Sequence, residues 1–158
     1  MDFTKLHYQY NPLLIGNVWD VTSAKIAEKL GFTAIGTSSA AIAALSGYKD
    51  GENISFKELY WLVERIALNT KIPLSVDLES GYHRNGQKVI EYIKKLADLG
   101  VVGVNIEDSL VGAQRQLLNE TEFAKKVFAV KNQLVSDNVE MFLNIRTDAF
   151  LLGQSNAV

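Results

Sequence analysis

Ile72-Pro73-Leu74-Ser75-Val76 runs directly into Asp77-Leu78-Glu79-Ser80-Gly81-Tyr82, and Val101-Val102-Gly103-Val104-Asn105-Ile106 runs into Glu107-Asp108. Both stretches read as a buried strand that ends on carboxylates. The same pattern recurs outward. The run Leu13 to Trp19 carries Asn17 and is followed by Asp20. Thr33 to Thr37 is followed by Ser38 and Ser39, and Glu140 to Arg146 by Asp148. Amphipathic segments separate these runs. Thr22 to Leu30 places Ile26, Ala27 and Leu30 on one side and stops at Gly31. Ser55 and Glu58 form a capping box ahead of the stripe Phe56, Leu59, Val63 and Ile66. Asn85 caps a helix with the stripe Val89, Ile93 and Leu96, with Gly100 just past its end. Asn119 and Glu122 open another, carrying Phe123, Val127, Val130 and Leu134.

Five repeats of strand then helix imply parallel strands joined by crossover helices. Such strands are covered on both faces, hence their continuously apolar character. Pattern alone leaves a doubly wound open sheet and part of a (β/α)8 barrel as alternatives. The polar residues favour the barrel, in which the C-terminal ends of the strands converge on the rim that carries active sites. An open sheet would spread them along an edge.

Composition sets the outer bounds. The chain has 158 residues, 47% hydrophobic and 22% charged, with net charge -2 and no cysteine. It reads as a single domain, residues 1–158, without a basic nucleic-acid footprint, disulfide framework or thiolate site. The segment MDFTKLHYQYNP lacks an apolar signal core. No apolar run approaches the roughly 18 residues that a membrane span requires. A cytoplasmic protein with no membrane or nucleic-acid partner is expected.

Carboxylates gathered on one rim would repel and raise each other's pKa, and a divalent cation relieves that. All-oxygen ligands suit Mg2+ or Mn2+ better than zinc. Such a cation polarises a carbonyl and stabilises an adjacent enolate. Read singly, Asp20, Asp108 and Asp148 are as well explained as helix caps or turn residues, and Ser38-Ser39 also suits a cap. Asp77, Glu79 and Glu107 are harder to dismiss, because two adjacent strands carry them. His7 and His83 read as surface or structural residues. Nucleotide-binding and serine-hydrolase motifs are absent.

Five segments, in this order, carry a family resemblance: Asn17-Val18-Trp19-Asp20-Val21-Thr22-Ser23-Ala24, Gly47-Tyr48-Lys49-Asp50, Asp77 to Tyr82, Asn105-Ile106-Glu107-Asp108, and Asn144-Ile145-Arg146-Thr147-Asp148-Ala149. From about residue 13 onward the chain resembles the phosphoenolpyruvate mutase/isocitrate lyase superfamily. Its members are (β/α)8 barrels that make or break C–C or C–P bonds in small 2-oxo or 2-hydroxy acids. The resemblance implies that Asp77 is the direct Mg2+ ligand and that Asp50, Glu79 and Glu107 hold the metal's waters. Ser38, Ser39 and the backbone near Ala40 would bind the substrate carboxylate, and Arg146 the far acidic group. Asp50, Glu107 and Arg146 are the residues expected to take part in catalysis. Tyr48, Tyr82, His83 and Arg84 are candidates for the general acid or base, none favoured by spacing.

The segment Ser109 to Arg115 lacks the cysteine of the isocitrate lyase loop, and the lysine–asparagine gating loop of the mutases is not recognisable there. C–C chemistry is therefore expected ahead of C–P chemistry. His83 stands where the family usually has glycine. A complete barrel takes about 250 residues, so the expected architecture is a TIM barrel incomplete in this chain, with about five βα units. Homo-oligomers are implied for a full-length member. The competing expectation is a non-catalytic fragment that keeps only the metal site or associates with a partner. A third reading, an open-sheet binding protein, predicts a ligand at a switch point.

Overall fold

The computed structural model describes residues 2–111 and 114–154; Gly112 and Ala113 of the 109–115 loop, and Ser155 to Val158 at the end of the chain, lie outside them. The elements in order are α1 (Phe3–His7), β1 (Ile15–Val18), α2 (Val21–Lys29), β2 (Ala34–Thr37), α3 (Ser39–Leu45), α4 (Phe56–Ala67), β3 (Leu74–Asp77), α5 (Gly86–Asp98), β4 (Gly103–Glu107), β5 (Ser109–Val111), β6 (Arg115–Leu117), α6 (Glu120–Ser136) and β7 (Phe142–Arg146). The main sheet has the order β1-β2-β3-β4-β7, with every pair parallel. Spatial order therefore follows chain order, each crossover stepping to the same side. A doubly wound sheet reverses direction at a switch point, and this one does not. The open-sheet reading falls on that observation.

Local sequence explains the helix boundaries. Ser55 accepts from the Glu58 backbone N–H while Glu58 reaches back to the Ser55 N–H, the reciprocal arrangement of a capping box. Asn85 and Asn119 cap α5 and α6 through their side-chain oxygens. Gly31 and Gly100, with φ of 86° and 85°, take the left-handed conformation just past α2 and α5. The helices bury Leu59, Val63 and Ile66 from α4, Val89, Ile93 and Leu96 from α5, and Phe123, Val130 and Leu134 from α6. Each such side chain contributes roughly 1.5–3 kcal/mol on leaving water.

Three expectations need correction. The stripe assigned to α2 is misplaced. Ile26 and Leu30 are exposed; of the expected stripe Ala27 alone is buried, and Ala24 packs beside it. Small Cβ-only contacts let α2 approach the sheet closely, which a pattern weighted by large apolar residues does not register. The expected strands begin early: β1, β3, β4 and β7 start two residues after the apolar runs do. Burial on both faces holds for β2 and β3 and nearly for β4, whereas β1 and β7, the outer strands of the sheet, are partly open. Four elements were not anticipated: α1, α3 and the two strands of the antiparallel pair β5–β6. No helix among the described residues is long and apolar enough to cross a membrane.

Candidate active site

The C-terminal ends of β3 and β4 lie side by side, with Asp77 opposite Asn105 in the parallel register. The Glu107 backbone N–H donates to the Glu79 carbonyl at 2.8 Å, which ties the two acidic segments together. Asp77, Glu79, Glu107 and Asp148 are all buried. Two linked clusters result.

The first is built on Asp77 and Glu79. Ser39 Oγ donates to Asp77 Oδ2 at 2.9 Å, and Thr37 Oγ1 lies 2.8 Å from the Asp77 backbone N–H, which donates to it. The other carboxylate oxygen of Asp77 accepts from the Glu79 N–H. Glu79 accepts from the Glu52 N–H at 2.9 Å and from the Tyr82 hydroxyl at 3.0 Å. Burial pushes the Glu79 carboxyl up to about 7, with Asp50 and Glu52 adding repulsion against the two hydrogen bonds that lower it. Burial also raises the Tyr82 phenol, further helped by the neighbouring Glu79 charge. It is therefore a hydrogen-bond donor at neutral pH.

The second cluster carries its own cations. Glu107 pairs with Arg146 and, at 2.7 Å, with Arg115. Asp148 accepts from Arg115 and Ser109 at 2.5 Å each and from Arg146 at 3.2 Å. Burial pushes Asp148 up, but the Ser109 hydroxyl and Arg115 outweigh it and hold the carboxyl below its ordinary range. For Glu107 burial dominates over Arg146, and its pKa is raised. Arg115 also reaches towards Asp50, at 3.7 Å.

The sequence-predicted residues thus divide. Ser39 and Glu79 each bond the Asp77 carboxylate, and Glu107 meets Arg146. Asp50 is exposed and joins the rim through Arg115. Ser38 caps α3 by accepting from the Ala41 N–H, and Ala40 is exposed in the first turn of that helix. Asp20 caps α2. Among the four acid–base candidates, Tyr82 alone bonds a carboxylate of the predicted metal set. Tyr48 donates to Glu58, Arg84 is held by Glu52 and Ser80, and His83 is exposed, its ring accepting from the Asn85 N–H. Three participants were missed. Asp148 follows the last strand and was given no role there, Arg115 lies in the unanticipated β5–β6 pair, and Glu52 sits in a loop with no periodic signal. The Arg-Thr-Asp spacing at 146–148 was the one available clue.

The predicted metal carboxylates share a rim without forming one cage. Among the described residues no three acidic, imidazole or thiol side chains close around a point that would hold a cation. Arg115 and Arg146 hold Glu107 directly. Conversely, among the described residues no lysine or arginine pairs with Asp77 or Glu79. Buried, all-oxygen and without an ion-pair partner, these two fit a hard divalent cation bound through a single carboxylate and retained waters.

The sequence matches the phosphoenolpyruvate phosphomutase family over residues 3–158. The chain belongs to that family. An uncharacterised protein of Mycobacterium tuberculosis is 34% identical over 154 residues, covering 98% of this chain and 55% of the relative. An oxaloacetate decarboxylase of a Bradyrhizobium species is 35% identical over 121 residues, covering 72% of this chain and 41% of the relative. A solved structure of a candidate phosphonomutase from Burkholderia cenocepacia superposes with TM-score 0.83 at 36% identity, covering 89% of this chain and 56% of that one. The chain spans about half the length of these relatives. Its five-stranded parallel sheet with alternating helices is therefore part of the phosphoenolpyruvate mutase/isocitrate lyase type of TIM barrel, and the family is one of mutases and lyases.

Proposed function

We propose that this chain carries the cation and substrate residues of a Mg2+-dependent lyase- or mutase-like enzyme. The substrate is a small 2-oxo or 2-hydroxy carboxylic acid, and the bond made or broken is C–C ahead of C–P, through a metal-stabilised enolate. The observation that carries this reading is the buried Asp77–Glu79 pair, which among the described residues has no cationic side chain paired with it, beside an arginine-rich Glu107–Asp148 cluster. Similarity to an oxaloacetate decarboxylase supports the substrate class.

Mg2+, or Mn2+ in its place, would be held by Asp77 with Glu79, Asp50 and Glu107 on its waters, and when bound it polarises a carbonyl and stabilises the charge developing there. Ser39 fixes one Asp77 oxygen and leaves the carboxylate a single orientation. Ser38 and the backbone at Ala40 would hold the substrate carboxylate. Arg146 is about two-fifths exposed and would pair with the far acidic group. When Arg146 turns to substrate, Arg115 still pairs with both Glu107 and Asp148 and offsets part of their charge. Tyr82 stays protonated and would donate a proton or a hydrogen bond near Glu79. A homo-oligomeric, cytoplasmic enzyme completes the proposal.

A second reading has one specific support. Phe128, Ile145, Phe150 and Leu151 are exposed around the outer strand β7, as suits a piece that associates with further polypeptide and turns nothing over alone.

Titration calorimetry with Mg2+ and oxalate, an enolate mimic, tests the first reading. Oxalate binding that requires Mg2+ and disappears in Asp77→Ala is expected. A folded chain that binds no oxalate with Mg2+ present would overturn it in favour of the second.

A further inference from the structure

Three non-glycine residues near the site adopt left-handed backbone: Glu52 at φ 58°, Glu79 at 47° and Tyr82 at 58°. Such backbone is unfavourable for a residue with a Cβ and persists only where its surroundings hold it there. All three are bonded to one another. The Glu52 N–H donates to Glu79, the Tyr82 hydroxyl donates to the other oxygen of Glu79, and the Tyr82 N–H donates to Glu52 Oε1 at 2.7 Å. Ser80 Oγ also donates to Glu52 Oε1, at 2.6 Å, and Arg84 donates to Glu52 Oε2, at 2.7 Å. The Glu52 carboxylate thus takes three bonds, and its backbone N–H a fourth, between two loops that are separate in sequence. One loop carries Asp50, the other runs from Glu79 to Arg84.

From this ring we infer that Glu52 is a positioning residue. Its carboxylate clamps the 80–84 loop while its own backbone N–H aims Glu79, so that Glu79 and Asp50 hold their places on the rim. The inference rests on the reading of Asp77 and Glu79 as a cation site for what that placement serves, but not for the placement itself. Glu52 has no hydrogen bond to Asp77, Ser39 or Arg146, and it meets Tyr82 through the backbone N–H rather than the hydroxyl. A surface salt bridge with Arg84 alone would explain one of its bonds, not the buried hydroxyl and amide donors.

The decisive variant is Glu52→Gly, which suits the positive φ, keeps the N–H to Glu79 and removes the side chain with its carboxylate. Glu52→Gln, which keeps an acceptor for Tyr82 and Ser80, is its rescue. Two measurements on the full chain separate placement from metal binding. The first is amide hydrogen exchange without metal, read at residues 52 and 82. Both amides are expected to exchange at least tenfold faster in Glu52→Gly and to return within threefold of wild type in Glu52→Gln. Unchanged protection of the residue 52 amide in Glu52→Gly would overturn the inference, since Glu79 would then be aimed without the carboxylate. The second is Mn2+ affinity and water-proton relaxation of the bound ion. Affinity about tenfold weaker in Glu52→Gly, with partial recovery in Glu52→Gln, is expected, and wild-type values in Glu52→Gly would overturn it. If the wild-type chain itself binds no Mn2+, the cation reading fails, and the exchange data still decide the positioning role.

Discussion

Arg115 Nη1 lies 2.7 Å from Glu107 Oε1, so the β5–β6 pair delivers a second guanidinium to a carboxylate that Arg146 already holds. Glu107 and Asp148 each contact both arginines, and the four side chains share their charge. Arg115→Met would leave two buried carboxylates dependent on the half-exposed Arg146. Breaking a buried pair from one side typically costs about 3–5 kcal/mol. The remaining arginine offsets part of that, so a loss of about 2–3 kcal/mol is expected in urea unfolding. A loss below about 0.5 kcal/mol would mean that Arg146 suffices.

Ser39 is buried and its hydroxyl serves the Asp77 carboxylate. A hydrogen bond to a charged group contributes about 1.5–3 kcal/mol. Ser39→Ala should therefore weaken Mg2+-dependent oxalate binding roughly tenfold, while Asp77→Ala abolishes it. Ser38→Ala, which removes a cap of α3, should cost about 1 kcal/mol of stability. Calorimetry and urea unfolding on the three variants separate orientation of Asp77 from capping.

Glu79 gives stability a pH dependence with a definite sign. Its folded pKa of about 7 stands above the ordinary value of 4.5, so the folded state retains a proton that the unfolded state has lost. Unfolding then becomes easier as pH rises from about 4.5 to 7, with a loss on the order of 2–3 kcal/mol. Glu107, also raised, acts in the same direction. Asp148 works the opposite way at lower pH: its depressed pKa supplies stability that is present above 3.8 and lost as pH falls through the folded value. In metal-free buffer, urea midpoints should fall between pH 5 and 7.5, and Glu79→Gln should flatten most of that slope. An equal slope in the variant would assign the titration elsewhere.

Gly51 has φ 99°, and a Cβ there would lie 2.3 Å from the Cβ of Val111. The loop that carries Asp50 thus rests backbone against side chain on β5. Gly51→Ala pays for left-handed backbone, about 1–2 kcal/mol, and for displacing β5, about 1–3 kcal/mol. A fall of 2 kcal/mol or more in unfolding free energy is expected, together with faster amide exchange in residues 109–111. A change under 0.5 kcal/mol would show that the loop and β5 do not lean on each other.

What the sequence by itself determined was periodic or local. Runs such as Ile72 to Val76 and Val101 to Ile106 announce buried parallel strands because apolar residues predominate on both faces. Ser55–Glu58, Asn85 and Asn119 mark helix starts because a cap bonds an N–H only two or three residues away. The recurrence of acids after strands placed Asp77, Glu79 and Glu107 on one rim, since parallel strands bring their C-terminal ends together. Tertiary structure alone decided which partner each acid takes. Arg115 to Asp148 spans thirty-three residues and Glu52 to Arg84 thirty-two, and no pattern of hydrophobicity encodes where a long polar side chain ends. The packing face of α2 was likewise settled in three dimensions, because Ala24 and Ala27 allow a close approach to the sheet that Ile26 and Leu30 would prevent.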